Sequence, residues 1–134
     1  MRWKDVRRYF GTTAHRRRLL SGLERAMANL KSAGCRRAYL DGSFVTDKEA
    51  ALGLPPNDYD GCWDISGVDP TKLDPVLLDF SKGRAAHKAK FLGELFLAQT
   101  PDGVTGKIFL EFFQIDKQTG NPKGIVAIDL GKFP

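Results

Sequence analysis

The chain reads as one mixed α/β (α+β) domain, a sheet flanked by helices, and three observations lead there. Stretches with helical periodicity alternate with short apolar runs; Gly and Pro turn signals separate them; and no internal repeat or low-complexity tract interrupts the pattern. The 134 residues, 42% hydrophobic, suffice for a single core that removes roughly two-thirds of the unfolded surface from water. A single domain over residues 1–134 is therefore expected.

The elements follow in order. Residues 3–10, WKDVRRYF, offer Trp3, Val6, Tyr9 and Phe10 as a packing arm, either a short helix or irregular. Thr12 or Thr13 can then cap a helix whose apolar residues Leu19, Leu20, Leu23, Ala26, Met27 and Leu30 recur at spacings of three and four, ending at Gly34. The cluster Arg16, Arg17, Arg18 falls largely off that stripe. Residues 37–41 hold Tyr39 and Leu40 and stop at Gly42, as a buried strand bounded by a turn does. Residues 46–52 favour a brief helical turn, after which Gly53, Pro55 and Pro56 force an extended or looped approach to Asn57.

Residues 58–65 suit a second strand. Period two sets Asp58, Asp60, Cys62 and Asp64 on one face and Tyr59, Gly61, Trp63 and Ile65 on the other, so the polar face should meet water, metal or ligand. Leu73, Val76, Leu77 and Phe80 predict a helix over residues 70–80, and a further helix is expected over 84–92. Residues 94–99, ELFLAQ, read as a strand ended by the turn signal Pro101-Asp102-Gly103. In KIFLEFFQID the spacing of Phe109, Phe112 and Phe113 favours a helix, although the aromatic content also suits a strand. That cluster reads as core packing or as part of an oligomer interface. KGIVAIDL, after the turn at residues 119–122, is the last strand.

Composition narrows the function classes. No run of about 18 uncharged apolar residues exists, and the start MRWKDVRRYF lacks the apolar segment of a secretory signal, so a cytoplasmic protein without a membrane span is expected. Cys35 and Cys62 stand alone, with no CxxC pair or nearby His pair to make a zinc site, and read as reduced core residues. Residues 1–37 carry eleven Lys or Arg against Asp5 and Glu24, a net charge of +9 within a total of +5. A basic amino-terminal third suits an anionic partner such as RNA, DNA or a nucleotide; a solvated arginine-rich helix face is the alternative.

Chemistry concentrates in residues 39–64. Two aspartates at i and i+2 on a strand, Asp58 and Asp60, project to the same side, close enough to hold hard divalent cations. Gly42 permits a tight corner, and Ser43 adds a hydroxyl beside exposed backbone N–H groups, together a cradle for phosphate oxygens. A phosphate cradle ahead of D-x-D points to phosphoryl chemistry. His15 reads as a surface residue of the first turn or a phosphate contact. His87, beside Arg84, Lys88 and Lys90, reads as part of a solvated basic helix or an RNA-binding face. Lys123-Gly124 could contact phosphate or simply turn the chain. No G-x-x-x-x-G-K-[ST], no GxGxxG and no Ser-His-Asp order is present.

A capped amphipathic helix, a strand, Gly42-Ser43, a linker and a strand opening Asp58-Tyr59-Asp60 resemble, in that order, the nucleotidyltransferase superfamily, the fold of the DNA polymerase beta catalytic domain and of minimal bacterial and archaeal nucleotidyltransferases. The resemblance covers residues 12–66 and, more loosely, continues to Gln99; small bacterial members with GSF-V-T and a late K-G-I are the most similar. It implies that Gly42 and Ser43 hold the nucleotide phosphates, and that Asp58 and Asp60 bind Mg²⁺. It also implies a third acid on a later strand as metal ligand and base: Glu94, with Glu111 as rival if its segment is a strand and Asp64 or Asp129 less favoured. The implied activity is transfer of a nucleoside monophosphate from an NTP to a hydroxyl of RNA or protein. The implied partner is the other half of a bacterial toxin–antitoxin pair. The linker after Ser43 is longer than in minimal enzymes and the strand continues Gly-Cys-Trp-Asp instead of an aliphatic run. A non-catalytic module of this fold, binding nucleic acid or a partner protein through its basic amino-terminal helix, is the alternative.

Overall fold

A computed structural model describes residues 1–41, 44, 57–101, 106, 108–112, 114 and 125–133. The expected turn at residues 46–52 and the sites Gly42, Ser43 and Lys123 lie outside the described residues.

The opening arm is a helix, α1 (Trp3–Phe10), with Trp3 and Val6 buried. Trp3 meets the ring of Phe133 edge-on at 5.7 Å. The second helix, α2 (Ala14–Ser32), begins at Thr13, whose Oγ1 accepts the Arg16 backbone N–H, and the chain leaves it through Gly34 at φ +98°. All six residues of its predicted stripe are buried. Arg16 is buried too, contrary to its reading as part of a solvated cluster. It donates to the carbonyls of Phe10 and Phe44 and lies over the Phe44 ring at 4.2 Å. Its methylenes pack while its guanidinium satisfies two carbonyls, a structural use of one cation in the basic third.

Four strands form a mixed sheet in the order β3-β2-β1-β4. Strand β1 (Arg37–Asp41) pairs antiparallel with both β2 (Tyr59–Trp63) and β4 (Val126–Asp129). Strand β3 (Gly93–Leu97) runs parallel to β2. The main core joins Leu40, Trp63, Leu95 and Ile128 to the buried faces of α1 and α2. On the opposite face Cys62 and Ala98 form a smaller apolar cluster with Tyr39, Phe96 and Phe109. The face read as polar is thus apolar at Cys62, 0% exposed, and its carboxylates gather at one end. Cys35 and Cys62 are free and buried.

Residues 70–80 do not form the expected helix. Two 3₁₀ turns, Pro70–Lys72 and Pro75–Leu78, replace it. Pro75 disfavours helical backbone at Asp74, and Asp69 and Asp74 each accept a backbone N–H two residues on, so each caps the start of its own turn. Leu77 is still buried. The next helix, α3 (Ser81–Phe91), contains three left-handed residues, Lys82, Gly83 and Arg84, before its regular part. Gly22 of α2 lets α3 approach closely, since a Cβ there would stand 2.1 Å from the Phe91 carbonyl oxygen. Buried Tyr59 donates its hydroxyl to that same carbonyl at 2.7 Å, fixing the end of α3 to β2. Helix α4 (Phe109–Phe112) lies within the segment for which a helix is favoured, and Ile108 just before it makes an isolated antiparallel bridge to Pro101. Among the described residues no helix is long and apolar enough to cross a membrane.

Candidate functional site

Strand register assembles the site. Asp41, the last residue of β1, stands opposite Asp60 of β2, and Asp60 stands opposite Glu94 of β3. Because side chains alternate along strands, the three carboxylates form a row across one face of the sheet, above the Tyr39, Cys62 and Phe96 row. Asp58 shares the face by its i, i+2 relation to Asp60. The sequence reading therefore paired Asp58 with Asp60 and brought Glu94 to them, but missed Asp41. The antiparallel β1–β2 register that recruits Asp41 depends on a long connection, which local pattern does not reveal.

Burial and mutual repulsion govern the electrostatics. Asp60 is pushed up to about 7, first by burial, then by the charges of Asp58 and Glu94, by a hydrogen bond shared with Glu94 and by the charge of Asp41. Near neutral pH Asp60 is thus partly protonated beside an ionised Glu94. Burial and Glu94 also raise Asp58, against the pull of Lys88. Burial would raise Glu94 as well, but the Lys88 hydrogen bond and the charges of Arg84 and Lys88 outweigh it and hold Glu94 low. Lys88 Nζ lies 3.0 Å and Arg84 Nε 3.4 Å from Glu94 Oε1. Asp41, 2% exposed, is the most deeply buried of the row.

Arg84 reaches Glu94 from a left-handed backbone, φ +62°, and its guanidinium lies over Phe96 at 5.0 Å. Non-glycine residues in that conformation are costly and persist where the surroundings hold them, as this ion pair and ring contact do. Phe96 stacks in turn on Phe109, at 4.5 Å between centroids. Beside the row, Arg18, Leu19, Asn57, Asp58, Lys88 and Leu92 line an open cleft of about 480 Å³. One wall offers a carboxylate and the others two cations, so an anionic group bridged to the carboxylates by a divalent cation would meet Arg18 and Lys88. Neither cation was singled out for this cleft from sequence, because only the fold brings α2 and α3 to the two sides of Asp58.

The donor chemistry of Asp58, Asp60 and Glu94 fits Mg²⁺, a hard cation that takes oxygen ligands. Their present arrangement does not form a ready-made site: among the described residues no three His, Cys, Asp or Glu side chains stand so as to hold a metal ion. Glu94 pairs with Lys88 and Arg84, which supply positive charge to it locally.

Asp64 and Asp129 have structural work, and Glu111 stands apart from the row. Asp64 accepts from the Ser66 backbone and the Gln99 amide, Asp129 accepts from the Gly131 backbone, and Glu111 is exposed on α4, not on a strand. His15 is exposed, as a first-turn surface residue would be. His87 is a correction: it is neither solvated nor part of a basic face but fully buried, accepting the Leu95 backbone N–H on Nδ1 at 3.3 Å. Burial lowers its pKa and keeps it neutral. Its charged neighbours along the chain, Arg84, Lys88 and Lys90, hid this, because nothing in their spacing distinguishes the buried position from the solvated ones.

No curated protein and no solved structure matches the chain. A family model does match, over residues 1–129, nearly the whole length. The chain belongs to that family, DUF6932, a family of unknown function.

Proposed function

We propose that the chain is a metal-dependent nucleotidyltransferase that moves a nucleoside monophosphate from an NTP to a hydroxyl of RNA or protein. The observation that most supports this reading is the juxtaposition of Asp58, Asp60 and Glu94 on one sheet face beside a cleft walled by Arg18 and Lys88. Asp58 and Asp60 would hold Mg²⁺, with Glu94 joining them once released from Lys88 and Arg84. The cation, when bound, supplies neutralisation of the charge that develops on the phosphates. Arg18 and Lys88 bind and orient the triphosphate. The acceptor oxygen bonds to the α-phosphorus, the bond to the β-phosphate oxygen breaks, and pyrophosphate leaves. The acceptor proton passes to a carboxylate of the row, for which we assign Glu94, whose basicity rises once it leaves the Lys88 and Arg84 charges that lower it. Gly42, Ser43 and Lys123 remain the proposed phosphate contacts from the sequence pattern. The two free cysteines suit a reducing, cytoplasmic setting, and a toxin–antitoxin partner is proposed on the resemblance alone.

A second reading, a non-catalytic module of the same fold, draws on the ion pairs that occupy Glu94. Calorimetry separates the two. The enzyme reading expects heat on mixing with Mg²⁺ and at least one NTP, lost in Asp58→Ala and Asp60→Ala. If no NTP binds and neither substitution alters any transfer to RNA or protein, the enzyme reading fails and the module remains.

A further inference from the structure

On the side of α2 turned toward α1, the two helices leave a second cleft, of about 320 Å³, lined by Lys4, Arg7, Arg8 and Arg17, with Glu24 as the one acid among the described lining residues. We infer that this cleft binds the phosphate backbone of a single-stranded nucleic acid, a site separate from the carboxylate row and independent of the chemistry performed there. Lys4, Arg7 and Arg8 stand at i, i+3 and i+4 on α1, so their side chains are neighbours on one face. Like charges so placed repel each other, and Arg17 adds a fourth from the facing helix, with its Nη1 on the Gly11 carbonyl at 3.1 Å. Local acids do little to offset this: Asp5 meets Arg8 at 3.7 Å, in a pair whose arginine is 74% exposed. A run of phosphates supplies the missing negative charge.

The chemistry of the rim selects the partner. Three of the four cations are arginines, whose planar forks match phosphate oxygens in pairs. Next to the cleft and outside its lining, Tyr9 is 62% exposed, with the Arg8 guanidinium 5.4 Å from its ring, and offers the free face of that ring to an unpaired base leaving the cleft. A membrane surface is disfavoured because the apolar side of α1 is already used, with Trp3 and Val6 buried against the core, leaving no apolar stripe to enter lipid.

Fluorescence anisotropy on the full chain tests the inference, with labelled RNA and DNA oligonucleotides of about 12 nucleotides, within the span one small binding fold covers. Salt is varied between about 50 and 200 mM, with neither Mg²⁺ nor NTP present. Binding is expected for the wild type. Lys4→Gln/Arg7→Gln/Arg8→Gln should weaken it by roughly tenfold or more and flatten the salt dependence by about 2 in log–log slope, with about 0.7 lost in Arg7→Gln alone. Tyr9→Ala should weaken binding without changing the slope. Lys72→Gln/Lys132→Gln/Arg36→Gln, which removes equal charge outside the cleft, should leave the slope as in the wild type. All these side chains are exposed, so circular dichroism should be unchanged throughout.

The inference is overturned if no oligonucleotide binds, if the control triple variant weakens binding as much as the cleft variant, or if polyglutamate or phosphatidylserine vesicles bind through the cleft residues while oligonucleotides do not. Loss of the carboxylate reading would appear separately, as absent NTP heat with oligonucleotide binding intact.

Discussion

The two faces of the sheet use the same strands for opposite ends. Toward α1 and α2, Leu40, Trp63, Leu95 and Ile128 are nearly fully buried in one continuous apolar core. On the other face the same strands present Asp41, Asp60 and Glu94 at one end and Tyr39, Cys62 and Phe96 beyond them. Adjacent residues in one strand, such as Trp63 and Cys62 or Tyr59 and Asp60, therefore answer to different requirements. One face lowers the free energy of the fold by removing apolar area from water. The other gathers like charges that the fold must hold together at a cost, the kind of arrangement found where a ligand later neutralises it.

The largest break should come from the core face. Trp63→Ala removes a large side chain, 2% exposed, and should cost about 3–5 kcal/mol in urea unfolding. Gly22→Ala should follow, at about 1–3 kcal/mol, because the added methyl meets the Phe91 carbonyl and pushes α3 from α2. Loss of only a few tenths in either variant would mean that the faces are not divided in this way.

Asp60→Asn should have the opposite sign. The folded protein keeps a proton on Asp60 up to about 7, whereas in the unfolded chain it leaves near about 4. The folded state thus binds more protons between these values, and the contribution of Asp60 to stability is full below about 4 and lost as pH rises through about 7. Asparagine lacks that titration, so the variant should gain on the wild type by on the order of 1–3 kcal/mol at pH 8, and less at pH 5. Equal differences at the two pH values would remove the case for a repelling carboxylate row.

The smallest effect should come from the solvent side of α1. Asp5→Asn breaks, among the described residues, one 3.7 Å pair with the exposed Arg8 and should change stability by no more than about 0.5 kcal/mol, read as a thermal midpoint shift near experimental error. A larger loss would give the basic helix a structural part that its exposure does not suggest.

Much of this architecture is written in local pattern. Spacings of three and four residues from Leu19 to Leu30 determine α2, and Thr13 and Gly34 mark its ends, because helix capping and amphipathicity depend on neighbours along the chain. Period two likewise places Asp58 and Asp60 on a single face before any partner strand is known. The broken segment at residues 70–80 was also legible in Pro75 and its preceding aspartate, but the apolar spacing masked it. What only the tertiary structure decided is which strand lies beside which and at what register. The parallel register of β2 and β3 sets Glu94 opposite Asp60, the antiparallel register of β1 adds Asp41, and the packing of α3 buries His87 while bringing Lys88 and Arg84 to Glu94. Those placements join residues dozens of positions apart, and they follow from how the helices and strands fill a common core, which no periodicity within a single segment encodes.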